Sequence, residues 1–201
     1  ILPTLWFRNT WNWGYDDYKP ELSSSAPDKI KIQHKDLAVK NFYTEQNDKI
    51  LFCDNETNLL RLYHQPNFGH FCKDGINNFI MNRNQDSVNP ENKGTKASVI
   101  INDSFAGKET KVYKFRLSNE NLTEAFKDFD EIFTLRKKDA DDFYAEVQQG
   151  IQSDDEKLVQ RQAFAGMLWS KMFYYYNIKQ WLSGDPEEIR PPKSREHIRN
   201  Y

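Results

Sequence analysis

Lys111-Val112-Tyr113-Lys114-Phe115-Arg116-Leu117 decides how the first two-thirds of this chain is read. Tyr113, Phe115 and Leu117 point one way and Lys114 and Arg116 the other, which is the period-two alternation of a half-buried strand in an antiparallel sheet. Upstream, short apolar runs separated by Asn, Asp, Gly and Pro predict further strands at Ile30–His34, Leu37–Tyr43, Lys49–Cys53, Leu59–Tyr63, Asn78–Met81 and Ala97–Asn102. Seven short strands at that spacing predict sheet-on-sheet packing or one strongly curved sheet. The polar stretch Asn102–Lys108 reads as a hairpin connection.

Downstream the period changes. Phe129, Ile132, Phe133, Ala140, Phe143 and Val147 recur at three- and four-residue steps. Asp128 with Glu131 offers a capping box and Gly150 a left-handed C-cap, so one amphipathic helix is expected. Ser153 with Glu156 forms a clearer capping box, and the pattern then runs as one helix to Leu182, with Gly184 just beyond. Such a helix would be roughly 40 Å long. Its second half, Ala163 through Tyr176, is apolar nearly all round, which predicts self-association or cover by another element. The fold class is therefore α+β: an antiparallel β-sandwich-like region followed by two C-terminal helices. The expected divisions are residues 1–122 as the β-rich domain, 123–184 as a helical linker and 185–201 as an extended Pro-rich tail.

Composition narrows the function. The 201 residues carry 28 Lys+Arg against 30 Asp+Glu, a formal charge of −2, so no basic surplus offsets a phosphate backbone or an anionic membrane. Mean hydropathy is −0.87, yet 14% of residues are aromatic, so the core must be built from rings more than from aliphatic bulk. No apolar run is long enough to span a bilayer. Two cysteines in the whole chain favour the cytoplasm slightly, while N-x-S/T sequons at Asn55, Asn102 and Asn121 point weakly the other way.

Three segments carry candidate chemistry. In Leu5-Trp6-Phe7-Arg8-Asn9-Thr10-Trp11-Asn12-Trp13-Gly14, indole faces can stack on a sugar ring while Arg and Asn grip its hydroxyls. For any single Trp the reading as core, with Arg8 a paired structural residue, comes first. Asp54-Asn55-Glu56-Thr57-Asn58 imitates a calcium loop, but Leu59 stands where Gly is needed and Gln65 where Glu is needed. No metal is expected there, and the run reads as a polar loop that bonds its own backbone or a ligand. Lys73-Asp74-Gly75 reads either as a turn with Gly75 at positive φ or as a place where Asp74 holds a ligand hydroxyl. Cys53 and Cys72 lack zinc spacing, which leaves two buried thiols or one disulfide. No phosphate loop, nucleophile elbow or zinc-protease helix is present, and no cofactor is expected. The paired acids Asp16/Asp17, Asp141/Asp142 and Asp154/Asp155 are better explained by helix caps and the helix dipole, so no catalytic pair is assigned.

A set of ordered motifs adds a resemblance. Leu2-Pro3-Thr4-Leu5-Trp6-Phe7-Arg8-Asn9-Thr10-Trp11, Asn55-Glu56-Thr57-Asn58, Lys73-Asp74-Gly75-Ile76-Asn77, Val88-Asn89-Pro90 and Gly94-Thr95-Lys96-Ala97 come first. Ala140-Asp141, Phe143-Tyr144, Arg161-Gln162-Ala163, Ala165 through Lys171 and Trp181 through Pro186 follow. The series resembles proteins related to glycoside hydrolase family 63, the glucosidase and mannosylglycerate hydrolase-like group. The resemblance implies an N-terminal β-domain and helical linker leading to an (α/α)6 barrel. That barrel would hold the two carboxylates of an inverting hydrolysis, outside this chain, and the opening part of the β-domain would precede Ile1. It further implies one wall of a pocket for a glucoside or mannoside, built from Arg8, Trp11, Trp13, Glu56, Asn58 and Asp74. The alternative is a carbohydrate-binding or protein-interaction module with no link to catalysis.

Overall fold

A computed structural model describes residues 3–171, 176–184 and 191–197. Residues up to Phe126 form one compact unit and those from Lys127 a second.

The first unit holds eight strands: β1 Thr4–Trp6, β2 Glu21–Ala26, β3 Lys29–His34, β4 Leu37–Thr44, β5 Lys49–Cys53, β6 Lys93–Gly94, β7 Lys96–Ile100 and β8 Phe115–Ser118. They make two antiparallel sheets, a three-stranded one ordered β1-β7-β5 and a five-stranded one ordered β6-β2-β3-β4-β8. Leu22, Ile30 and Ile32 from the larger sheet meet Ile50, Phe52, Ala97, Val99 and Ile101 from the smaller, and this buried layer is the main core. The core is thus largely aliphatic, with Phe52 the one buried ring among these residues and Leu5, Phe7, Phe42, Tyr113 and Phe115 packed around it. Alternation explains the layering: Ile30 and Ile32 face inward while Lys31 between them is exposed.

Two segments read as strands are helices. Helix α1 covers Leu59–Tyr63, started by the Asn58 side chain accepting from Arg61 N and ended by His64 in the left-handed region at φ 58°. Helix α2 covers Gly75–Asn82. A short apolar run does not separate the two periods by itself, and here Ile76 and Phe79, three apart, pack on Leu51, Cys53 and Val88 across the outer face of the smaller sheet. Gly75 does not have the expected positive φ. It is required for space instead, since a Cβ there would lie 2.0 Å from the Ser87 carbonyl oxygen.

Two further expectations change. The strand read over 111–117 pairs only from Phe115, where Thr44 lies opposite, to Ser118, opposite Asn41. Phe115 stacks on Phe42 at 5.8 Å, but Leu117 at the sheet edge is 56% exposed. Asn102–Lys108 is not a hairpin connection, because β7 and β8 belong to different sheets. The 101–114 crossing is held by Asp103, which accepts from Tyr113 Oη at 2.7 Å and pairs with Lys111.

In the second unit α3 covers Phe129–Val147 and α4 Asp154–Ser170. They lie antiparallel, joined by Arg161 to Asp141 at 2.7 Å, by the Arg161 guanidinium 4.6 Å from the Tyr144 ring centre and by Gln148 Nε2 donating to Lys157 O at 2.8 Å. Ser153 Oγ accepts from Glu156 N and caps α4, whereas the Asp128 side chain makes no cap bond to α3 and Gln148, not Gly150, is its C-cap. The single long helix is interrupted: α4 stops at Ser170, α5 begins at Ile178 on an Asn177 cap and ends at Ser183. Met172–Tyr175, within the apolar stretch, lie outside the described residues. So does much of the tail read as extended, where Lys193–His197 form a 3-10 turn. No described helix is long and apolar enough to cross a membrane.

Candidate functional site

The end of β5 runs straight into the Asp54–Asn58 loop, and backbone demand shapes that loop. Asn55 N donates to Thr95 Oγ1 at 2.8 Å, Thr95 N donates to Asp54 Oδ1 at 3.1 Å, and Asn55 Nδ2 reaches Phe7 O at 2.8 Å. Those bonds satisfy polar groups in a covered place and leave the Glu56 carboxylate pointing toward the N-terminal segment.

Glu56 is 3% exposed. Its Oε1 accepts from Trp11 Nε1 at 2.8 Å and from Lys19 Nζ at 2.9 Å, and the same ammonium reaches Asp54 Oδ2 at 2.9 Å. A buried carboxylate needs such partners, because an unpaired charge there is costly. The Lys19 ammonium also lies 5.6 Å from the Trp11 ring centre. Burial alone would lower the Lys19 pKa; the Glu56 and Asp54 carboxylates outweigh it and hold the value above the usual lysine range. Gly69 closes the far side, where a Cβ would stand 3.1 Å from Glu56 Oε2.

In the same N-terminal segment as Trp11, the exposed Arg8 guanidinium lies 5.3 Å from the Trp13 ring centre. Asn12 Nδ2 and Trp13 Nε1, both buried, have no hydrogen-bond partner among the described residues. A second constellation lies after the loop: Asn58 Nδ2 donates to both Asp74 oxygens at 3.2 Å, and Arg61 donates to Asp74 Oδ2 at 2.9 Å. Lys73 N donating to Glu56 O at 2.9 Å links the two stretches of chain.

The six residues singled out from the sequence therefore fall into three contacting pairs, Trp11 with Glu56, Arg8 with Trp13 and Asn58 with Asp74. Lys19, Asp54 and Arg61 complete them. Asp54 stood in the polar run already noted, but nothing in the spacing marks Lys19, which lies 35 and 37 positions from its partners. Cys53 and Cys72 are free and buried, and burial pushes their thiols up to about 12 and about 11. Among the described residues no three His, Cys, Asp or Glu side chains gather as a metal site.

The Asp74 pKa gives a pH prediction. Burial works to raise it, but hydrogen bonds from Arg61 and Asn58 and the Arg61 charge prevail and hold it below the ordinary 3.8. The unfolded chain then binds its proton more readily than the native one, so the contribution is complete above that ordinary value and is lost as pH falls through the lower native one. Urea unfolding midpoints at pH 6 and pH 3 should differ less in Asp74→Asn than in the parent; an unchanged difference would refute the assignment.

No protein-family model matches the chain, and no solved structure matches it. Among curated proteins, the uncharacterized protein YMR196W of Saccharomyces cerevisiae (strain ATCC 204508 / S288c) is 31% identical over 238 aligned positions. The match takes in 100% of this chain and 22% of the yeast protein, so the chain spans about a fifth of the length of that relative.

Proposed function

We propose that the β unit forms one wall of a carbohydrate pocket and that it does so as the non-catalytic part of a glycosidase-like protein. The observation that carries this reading is the Arg8–Trp13 contact in the same N-terminal segment as Trp11, which reaches Glu56. It offers an exposed guanidinium over an indole ring, and the partly accessible Asp54 carboxylate is held by Lys19, group types a sugar uses for stacking and for hydroxyl bonding. The hydrolytic acid and base belong, on this reading, to a partner barrel supplied by the longer polypeptide. Lys19 pairs with both Asp54 and Glu56, which fixes the two carboxylates in place.

Titration of the purified chain with a methyl glucoside and a methyl mannoside, followed by tryptophan fluorescence, tests this. Saturable quenching is expected, weakened about tenfold by Arg8→Ala, the order of one hydrogen bond to a charged group. Absence of saturation with either sugar, or quenching indifferent to Arg8→Ala, overturns the reading. A protein-interaction module is the second reading, and the helical unit favours it: no residue of α3 or α4 is buried, and Met167, Leu168 and Trp169 are all more than half exposed.

A further inference from the structure

The smaller sheet ends on β5, and the hydrogen-bond parity of its ladder exposes an unsatisfied edge. Val99 N donates to Pro3 O at 3.0 Å and Phe7 N donates to Thr95 O at 2.9 Å, so the odd residues of β7 bond toward β1. The even residues of β7 therefore face β5, where Ser98 lies opposite Leu51 and Ile100 opposite Lys49. Ile50 and Phe52 must then turn their N–H and C=O groups away from β7. Two bonds on that outer side agree: Asn89 N donates to Phe52 O at 2.8 Å, and Asp54 N donates to Phe71 O at 2.7 Å. Ile50 N–H, Ile50 C=O and Phe52 N–H are left without a partner among the described residues. Ile50 is 8% exposed and Phe52 1%, so these groups belong to a largely covered stretch of chain.

Two concavities flank this edge, one of about 620 Å³ and one of about 350 Å³, and Lys49, Ile50, Phe52 and Asn92 line both. The larger lies between β5 and the 70–71 and 85–92 segments and includes Leu51, Phe71, Val88 and Pro90. The smaller lies toward the β2–β3 turn and includes Ser24, Ser25, Asn47 and Asp48. Side chains of an extended segment alternate between the two faces of a sheet, so one strand laid along β5 would send its residues into the two concavities in turn.

From this we infer that the open edge of β5 receives one further strand, in which large apolar residues facing Phe71 and Val88 alternate with small polar residues facing the β2–β3 turn. The strand comes from a segment of a longer polypeptide outside these 201 residues. Most of the yeast relative lies outside its match to this chain, so a protein of that kind has ample length to supply it. A second copy of the β unit is a poor fit. The β2–β3 turn and the Gln85–Asn92 segment line the concavities on either side of β5, and a second copy would bring the same flanks against them. The added strand would satisfy Ile50 and Phe52 and extend the three-stranded sheet to four.

Amide hydrogen exchange on the polypeptide produced in its source cells tests the inference, with Leu51, bonded to β7, as the internal reference. Ile50 and Phe52 amides are expected to exchange within about tenfold of Leu51 at every protein concentration. A benzophenone amino acid placed at the exposed Gln85 is expected to cross-link to a peptide of the same polypeptide outside this stretch. Exchange at Ile50 about 100-fold faster than at Leu51 overturns the inference. So does protection that grows with concentration, a cross-link to a second copy or to another protein, or a source polypeptide that ends within these residues.

Discussion

Gly94→Ala should lower the unfolding free energy by about 3 kcal/mol, the upper part of the range for overpacking a filled site. The added Cβ would stand 2.4 Å from the Cys53 carbonyl oxygen and 2.9 Å from the Cys53 carbonyl carbon. Both are backbone atoms of β5, so no side-chain rotation relieves the contact. Cys53 is bound in the ladder opposite Lys96, and Leu51 and Phe52 beside it are each 1% exposed, so moving that backbone disturbs both buried clusters. Gly107→Ala is the control, because a Cβ there meets nothing within 4 Å and its φ is not positive. Urea denaturation followed by far-UV circular dichroism should show a large loss for the first and little change for the second. Equal midpoints would mean that β5 and β6 do not approach as described.

Phe52→Ala should cost about 3–5 kcal/mol, the range for emptying a buried ring site. Phe52 is 1% exposed and sits in the cluster that joins the two sheets, among Leu22, Ile30, Ile50, Ala97 and Val99. Its neighbours come from several strands of two hydrogen-bonded sheets, which cannot close around the cavity without breaking ladder bonds. Phe52→Leu should recover part of the loss, since it restores most of the volume. The same denaturation experiment distinguishes this from a surface effect: a loss below about 1 kcal/mol would place Phe52 outside the core.

Much of the β unit was readable because short apolar runs between turn-forming residues, alternating in places, mark strands. Ile30–His34, Leu37–Tyr43 and Lys49–Cys53 lie where that pattern puts them, within a residue at either end. Leu59–Tyr63 and Asn78–Met81 were not, since four or five residues with an apolar majority satisfy either period and only packing chooses. Ile76 and Phe79 chose helix by covering the outer face of the smaller sheet. In the candidate site, the residue types were legible at Arg8, Trp11, Trp13 and Glu56, but their pairing was not.

The sequence by itself determined the order of the molecule, strands with period two followed by helices with period 3.6, together with the chemical vocabulary of the Trp-rich segment and the polar loop. These are local properties, set within a few residues by side-chain direction and caps. Tertiary structure alone decided that β7 and β8 part into different sheets and that the buried Glu56 finds its charge partner in Lys19. It also decided that Ile50 N–H, Ile50 C=O and Phe52 N–H on the outer side of β5 have no partner among the described residues. Each of these depends on which distant segments the core brings together: Lys19 and Glu56 are 37 positions apart, and no local period records a contact made only when two sheets close on one another.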